Sequence, residues 1–318
     1  MKKLIKLISI IVVVIGLIVF ISFVNHKIKL KDEDALFKTN GKIVEVNGHH
    51  MNVYLSGNPN SDFTLVFMSG AGTCSPTLDF KTLYSLFEKD YQIAVVEKAG
   101  YGFSDISDIS RDIDTILFET RESLNQAGVT NHKYILFPHS MSGIEALYWA
   151  NKYPGEIKGI VGLDLSVPAA YQNTKINTFL LSAAKFGADI GLTRFLPYLV
   201  DSSSAIKDGN LTEEEKELYR VIFYRRTATT SMINEAKTIK ANAKKLEEVD
   251  TTNVPMLFFI SNGDGTGYSK EEWRSFGVGY LANKQNGKYQ FLDCSHYVHN
   301  IAYQQIYEES IKFINQLK

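Results

Sequence analysis

The run Tyr134-Ile135-Leu136-Phe137 limits the fold of this chain more than any other feature. Consecutive apolar residues without alternation make a strand that must be covered on both faces. They lead into Pro138-His139-Ser140-Met141-Ser142-Gly143, and a helix-forming stretch, Ile144 to Ala150, follows. A buried strand, a corner of mostly small residues and then a helix is the layout that lifts one serine hydroxyl above a sheet edge, the nucleophile elbow. The usual pattern is Gly-x-Ser-x-Gly, and here Pro138 and Ser142 stand where it has glycine. Ser142 is small enough for the corner. Pro138 removes a backbone donor, so the strand is expected to leave its ladder there. The same hexapeptide also suits an ordinary strand-to-helix loop, and the other parts of a catalytic site decide between the two.

A serine hydroxyl is a weak nucleophile and needs a base, an orienting carboxylate and donors aimed at the developing oxyanion. Lys288 to Cys294 reads as a late strand, followed by Ser295-His296-Tyr297-Val298-His299 and a helix to about Lys318. His296, just past the strand end, is the candidate base. His299 lies three residues on and reads as an outer or surface residue. Val254 to Ile260 is another apolar strand, ending in Ser261-Asn262-Gly263-Asp264-Gly265-Thr266-Gly267. Asp264 is the candidate acid, although Asp in such loops commonly only makes a turn. Asp164, in Gly162-Leu163-Asp164-Leu165, is the alternative acid. Upstream, the strand Phe63 to Met68 runs into Ser69-Gly70-Ala71-Gly72-Thr73. The N–H groups of Ala71 and Met141 are the candidate oxyanion donors.

With these parts in place, residues 41–318 resemble the α/β-hydrolase superfamily, in its capped lipase/esterase-like branch. The resemblance rests on Ser69-Gly70-Ala71-Gly72, on Glu97-Lys98-Ala99-Gly100-Tyr101-Gly102-Phe103-Ser104-Asp105, on the elbow, on the Asp264 loop and on Ser295-His296. It implies Ser140 as nucleophile, Asp264 as acid and His296 as base. Some members of the fold carry the acid after the preceding strand, which keeps Asp164 in view. The departures are Pro138, Ser142 and the lack of a His before Gly70. A serine at the elbow argues against haloalkane dehalogenases and epoxide hydrolases, which share the fold and use Asp there.

Alternating strands and helices predict a mostly parallel sheet with helices on both faces, and ligands bind beyond the carboxyl ends of such strands. The expected order is a hairpin over 41–57 through Asn47-Gly48, strands at 63–68, 92–97, 134–139 and 158–165, and helices at 77–89, 111–127 and from the elbow to about Tyr153. The run from Val167 to Val249 breaks the alternation with a helical pattern. It reads as a helical cap inserted after the sixth strand, whose large apolar residues, among them Leu180, Phe186, Phe195 and Tyr198, either wall an acyl pocket or pack the cap onto the core. The division is 1–30 as anchor, 31–166 with 250–318 as core, and 167–249 as cap. Tyr224-Arg225-Arg226 could meet an anionic substrate group or simply be solvated.

Leu7 to Val24 is an uncharged stretch of 18 residues, preceded by Lys2, Lys3 and Lys6 and followed by Lys27, Lys29 and Lys31. That length approaches the ~30 Å hydrocarbon core of a bilayer at 1.5 Å per residue. No small-x-small cleavage site and no lipobox cysteine follows it, so an uncleaved signal anchor is the reading, with the catalytic domain outside the cytoplasm. A net charge of −1 from 34 basic and 35 acidic residues gives no reason to expect a nucleic-acid partner. Neither a cofactor nor a metal is expected. Cys74 and Cys294 flank two proposed active-site loops, and free thiols are the plainer reading than a bridge. The sequence therefore predicts a membrane-anchored serine hydrolase acting on a small, largely apolar acyl substrate, most simply a carboxylic ester. A peptidase or amidase on the same scaffold, or a tethered non-catalytic binding protein, are the rivals. Oligomeric state is not legible.

Overall fold

The apolar N-terminal stretch forms one helix, α1 (Lys2–Asp32), whose apolar side chains are almost all exposed. It is long and apolar enough to cross a membrane. The computed structural model describes residues 1–317. After α1, β1 (Lys42–Val46) and β2 (His49–Gly57) form the expected hairpin. Asn47 and Gly48 both take positive φ, 55° and 79°, as a type I′ turn requires.

Strands and helices then alternate. β3 (Thr64–Met68) is followed by two short helices, α2 (Pro76–Asp79) and α3 (Lys81–Tyr84), where the sequence suggested one. Next come β4 (Gln92–Glu97), α4 (Ile113–Gln126), β5 (Tyr134–Pro138), α5 (Ser142–Lys152) and β6 (Ile157–Leu163). A helical insertion follows, containing α6 (Thr178–Asp189), α7 (Tyr198–Asp201), α8 (Ser204–Lys207), α9 (Glu213–Arg226) and α10 (Thr230–Val249). A capping box between Thr212 and Glu215 starts α9. The core resumes with β7 (Met256–Ile260), α11 (Lys270–Leu281), β8 (Gly287–Phe291), α12 (Val298–Ile301) and α13 (Tyr303–Asn315). The last helix thus ends before Lys318, which lies outside the described residues.

The strands form one sheet in the order β1-β2-β4-β3-β5-β6-β7-β8, antiparallel at β1/β2 and β2/β4 and parallel elsewhere. β3, β5 and β7 are buried at every position, which is why they read as unbroken apolar runs. Alternate residues feed two cores. Leu136 and Phe258 pack with Ile144, Leu147 and Trp149 on one face, while Phe137 and Phe67 pack with Phe80, Phe87 and Ile314 on the other. Phe67 and Phe137 stack at 4.7 Å between ring centres in the middle of the sheet. Truncating either to Ala would cost about 3–5 kcal/mol.

Pro138 is the last residue of β5. The His139 N–H donates to the Met68 carbonyl at 3.0 Å on the β3 side, so the donor missing at Pro138 faces β6. There the ladder stops at Leu136↔Ile160, and only an isolated bridge, His139↔Leu163, resumes it. The proline is tolerated because the strand is already parting from that neighbour.

The Gly-Tyr-Gly-Phe stretch after β4 wraps a buried carboxylate. Glu97 accepts hydrogen bonds from the Phe103 N–H (2.7 Å), the Thr77 hydroxyl (2.8 Å) and Asn52 Nδ2 (3.0 Å). Burial nevertheless raises its pKa above the usual carboxylate value. Gly102 packs on this carboxylate at φ +48°, and a Cβ there would lie 1.9 Å from Glu97 Oε2. Gly102→Ala is therefore expected to lower stability by roughly 1–3 kcal/mol. Gly155→Ala, whose added carbon meets nothing within 4 Å, serves as the control. Equal unfolding midpoints for the two variants would remove this account of the loop.

Candidate active site

The chain climbs from β5 into α5 through a residue held in the left-handed region, Ser140 at φ 54°. A non-glycine residue there is strained, and the surroundings over-determine it. The Ser140 carbonyl accepts from the Ser166 N–H at 2.8 Å and the Gly143 N–H at 3.0 Å. The Ser142 hydroxyl donates to the carbonyls of Met68 (2.7 Å) and His139 (2.9 Å), so this substitute for the usual glycine ties the corner to β3. Close approach, not chain freedom, fixes the glycines on either side. A Cβ on Gly70 would come within 2.7 Å of the Ser140 Cβ, and one on Gly143 within 2.3 Å of the Ser166 carbonyl.

Ser140 lines a cavity of about 570 Å³ together with Ala71, His139, Tyr171, Tyr268, Trp273, His296 and Tyr297. His296, after β8, is buried, and its backbone N–H donates to the Asp264 carbonyl at 2.9 Å. Its Nδ1 lies 2.6 Å from Oδ2 of Asp164. The carboxylate that meets the imidazole is thus the alternative named from the sequence. Asp264, the first choice, is exposed, and its carboxylate accepts from Asn262 Nδ2 within its own turn at 3.0 Å. The turn-making role usual for Asp in a Gly-rich loop is the one Asp264 plays, while its backbone carbonyl steadies His296.

Asp164 sits past the end of β6 at φ 52° and is 1% exposed. Its Oδ1 accepts from the Ser261 N–H at 2.7 Å and from the Trp273 indole N–H at 2.8 Å. With Oδ1 serving two donors and Oδ2 facing the imidazole, the carboxylate is an acceptor on every side. The His296 proton must then lie on Nδ1, leaving Nε2 as the basic nitrogen. Trp273, on α11, had no signal in the sequence. An indole donor near a buried carboxylate is visible only once α11 is packed on β7.

His139 is a second residue the sequence left without a role. It is 1% exposed, and its Nε2 lies 3.2 Å from the His296 carbonyl. Burial, then the neighbouring His296 and His299, hold its pKa well below the usual histidine value. A neutral His139 donates from Nε2 to that carbonyl and so clamps the loop that carries His296 to the corner at Ser140. Of the two places expected for His299, behind the site or at the surface, it takes the first. It is fully buried, with Nε2 3.0 Å from Asp79 Oδ2 and its ring 4.7 Å from that of His139. The oxyanion candidates differ in burial: Ala71 is exposed on the cavity wall, whereas Met141 is buried at the start of α5. Among the described residues, neither N–H donates in the turn and loop hydrogen bonds around them. Cys74 and Cys294 are both free thiols.

The cap contributes Ala170, Tyr171, Asn173 and Thr174 to the cavity. Leu180, Phe186, Phe195 and Tyr198, expected to face the pocket or pack the cap, are exposed. Arg225 and Arg226 are not free for an anionic substrate. Arg225 pairs with Asp34 at 3.0 Å, and Arg226 Nε donates to the Gly102 carbonyl at 2.7 Å.

Comparisons with known proteins agree with this architecture. The family model described as serine aminopeptidase, S33, matches residues 59–276. Protein YbdG of Bacillus subtilis (strain 168), uncharacterised, is 35% identical over 99% of this chain and 98% of its own. Among solved structures, Cfl2 of Burkholderia cenocepacia superposes with a TM-score of 0.67 at 13% identity, covering 86% of this chain and 95% of its own. A loop variant of the haloalkane dehalogenase DbeA from Bradyrhizobium elkanii gives 0.61 at 13% identity, covering 87% and 96%. Fold, elbow and matched family agree: the chain belongs to the S33 serine aminopeptidase family of α/β-hydrolases.

Proposed function

We propose that this α/β-hydrolase is a serine hydrolase that cleaves a carboxylic ester of a small, largely apolar substrate through an acyl-enzyme. The reading rests on one arrangement. A strained Ser140 shares a cavity with an imidazole whose far nitrogen is held by a buried carboxylate. In the proposed reaction Ser140 Oγ attacks the carbonyl carbon while His296 Nε2 takes its proton. Asp164 holds the tautomer and balances the imidazolium. The N–H groups of Ala71 and Met141 receive the oxyanion. Collapse breaks the acyl–oxygen bond, and the imidazolium protonates the departing alkoxide. Water, deprotonated by the same nitrogen, then releases the acid.

Amide cleavage is the second reading, favoured by the family description. An aminopeptidase must hold the free ammonium group of its substrate, and a cation brought into a cavity needs a partner carboxylate. Among the described residues that line this cavity there is neither Asp nor Glu. That supports the ester over the aminopeptide. We also read α1 as a retained membrane anchor with the catalytic domain outside the cytoplasm. Specific contacts between its C-terminal half and the cap support retention: the Ser22 hydroxyl donates to the Ile190 carbonyl at 2.7 Å, and Arg194 Nε lies 2.9 Å from His26 Nδ1.

Labelling with a fluorophosphonate tests the nucleophile. Wild type is expected to label and Ser140→Ala not to. Equal labelling of both would move the nucleophile elsewhere, and no labelling of either would favour a binding protein on this fold. A panel of p-nitrophenyl esters and aminoacyl p-nitroanilides is expected to show turnover of the esters, and turnover of anilides alone would reverse the substrate assignment. For the acid, Asp164→Asn is expected to lower kcat on the order of 10³–10⁴-fold. Asp264→Asn keeps the backbone carbonyl that positions His296 and should change kcat only a few-fold. The opposite ranking would return the acid role to Asp264.

A further inference from the structure

Among the described residues, eight of the sixteen large apolar side chains exposed after α1 fall in one short part of the cap, between Phe179 and Leu199. They include Phe179 at 81%, Phe186 at 57%, Phe195 at 56% and Tyr198 at 62% exposure. A soluble surface rarely concentrates aromatic and aliphatic groups in this way without an occupant. Three observations name that occupant.

First, this segment is fastened to α1 at the height where the apolar stretch ends. The Ser22 hydroxyl donates to the Ile190 carbonyl at 2.7 Å, and Ser22 lies two residues inside the stretch that closes at Val24. At 1.5 Å per residue the fastening point is only about 3 Å from that edge. Ile190 itself stands between Phe186 and Phe195 in the chain, so the exposed groups flank the fastening point. Second, each charged side chain of the segment is already paired. Lys185 meets Asp189 at 2.9 Å, and Arg194 meets Glu33 at 2.6 Å. The desolvation cost that usually keeps such a surface in water is therefore reduced. Third, Lys27 lies over the Phe23 ring at 5.3 Å, a basic and aromatic pair suited to the headgroup layer at that same level.

From this we infer that the cap face from Phe179 to Leu199 lies in the interfacial layer of the bilayer that α1 crosses, holding the catalytic domain against the membrane surface. The inference rests on reading α1 as a membrane anchor. Thr174 of the cavity wall precedes Phe179 by five residues, so this contact sets the rim of the cavity close to lipid. The favoured substrates would then be amphiphilic acyl compounds held in the bilayer.

Single tryptophans placed in the full-length chain test it, in vesicles of phosphatidylethanolamine and phosphatidylglycerol with brominated acyl chains. The native Trp149 and Trp273 are buried and supply a constant background. Phe179→Trp, Phe195→Trp and, within the anchor, Ile15→Trp are expected to lose their added emission several-fold. Tyr289→Trp, on the edge strand β8, should keep it. Quenching at Ile15 with none at either cap position would overturn the inference while leaving the anchor intact, and is the result expected if a second copy of the chain covers this face. No quenching at Ile15 would remove the anchor reading and this inference with it.

Discussion

The strained backbone at Ser140 is the constraint on which the site depends. A residue at φ 54° costs about 1–3 kcal/mol and persists only where its surroundings leave no alternative. Here they do. β5 is central, its neighbours β3 and β6 are both parallel to it, and the Ser140 carbonyl is tied to Ser166 beyond β6. Among the described residues, four other than glycine have positive φ, and two of them, Ser140 and Asp164, stand past the ends of adjacent strands. One strained corner presents the hydroxyl and the other turns a carboxylate toward the imidazole. The packed sheet offsets both.

Much of the fold was legible because its signals are local. Unbroken apolar runs in β3, β5 and β7 announce strands covered on both faces, and Asn47-Gly48 announces the hairpin. The break in alternation after β6 announces the helical insertion. The helix expected over 77–89 is interrupted at Phe80, whose φ and ψ are still helical (−89°, −4°). A helical pattern could not show that break.

The carboxylate was harder, and the reason is energetic. Asp264 stands in a loop of glycines and polar residues, where a charge costs little and so says little. Asp164 stands in the apolar run Val161-Gly162-Leu163-Asp164-Leu165, where a carboxylate is expensive unless donors meet it. It is met by a backbone N–H, an indole and an imidazole. The costly aspartate was the informative one. Ranking the two by the cost of burying each, rather than by the look of the loop, would have favoured Asp164. Trp273 lies 109 positions from Asp164 and His296 lies 132, so the partners themselves become visible only in three dimensions.

The same distinction explains the cap. Its residues were read by type, aromatics for a pocket or for packing and arginines for an anion or for solvent. Contacts made far along the chain decide otherwise. Arg225 donates to the Leu30 carbonyl and pairs with Asp34, with Phe37 under its guanidinium at 4.7 Å. Arg226 reaches the Gly102 carbonyl, in the loop that wraps Glu97. Two neighbouring arginines thus join the end of α1, the cap and the loop after β4. Burial lowers the pKa of Arg226 from its usual value, yet a guanidinium remains charged throughout the physiological range. Its charge is used to satisfy a carbonyl at the junction of cap and core. What the cap offers the cavity is therefore the stretch just after β6, with the long helices fixing where that stretch lies.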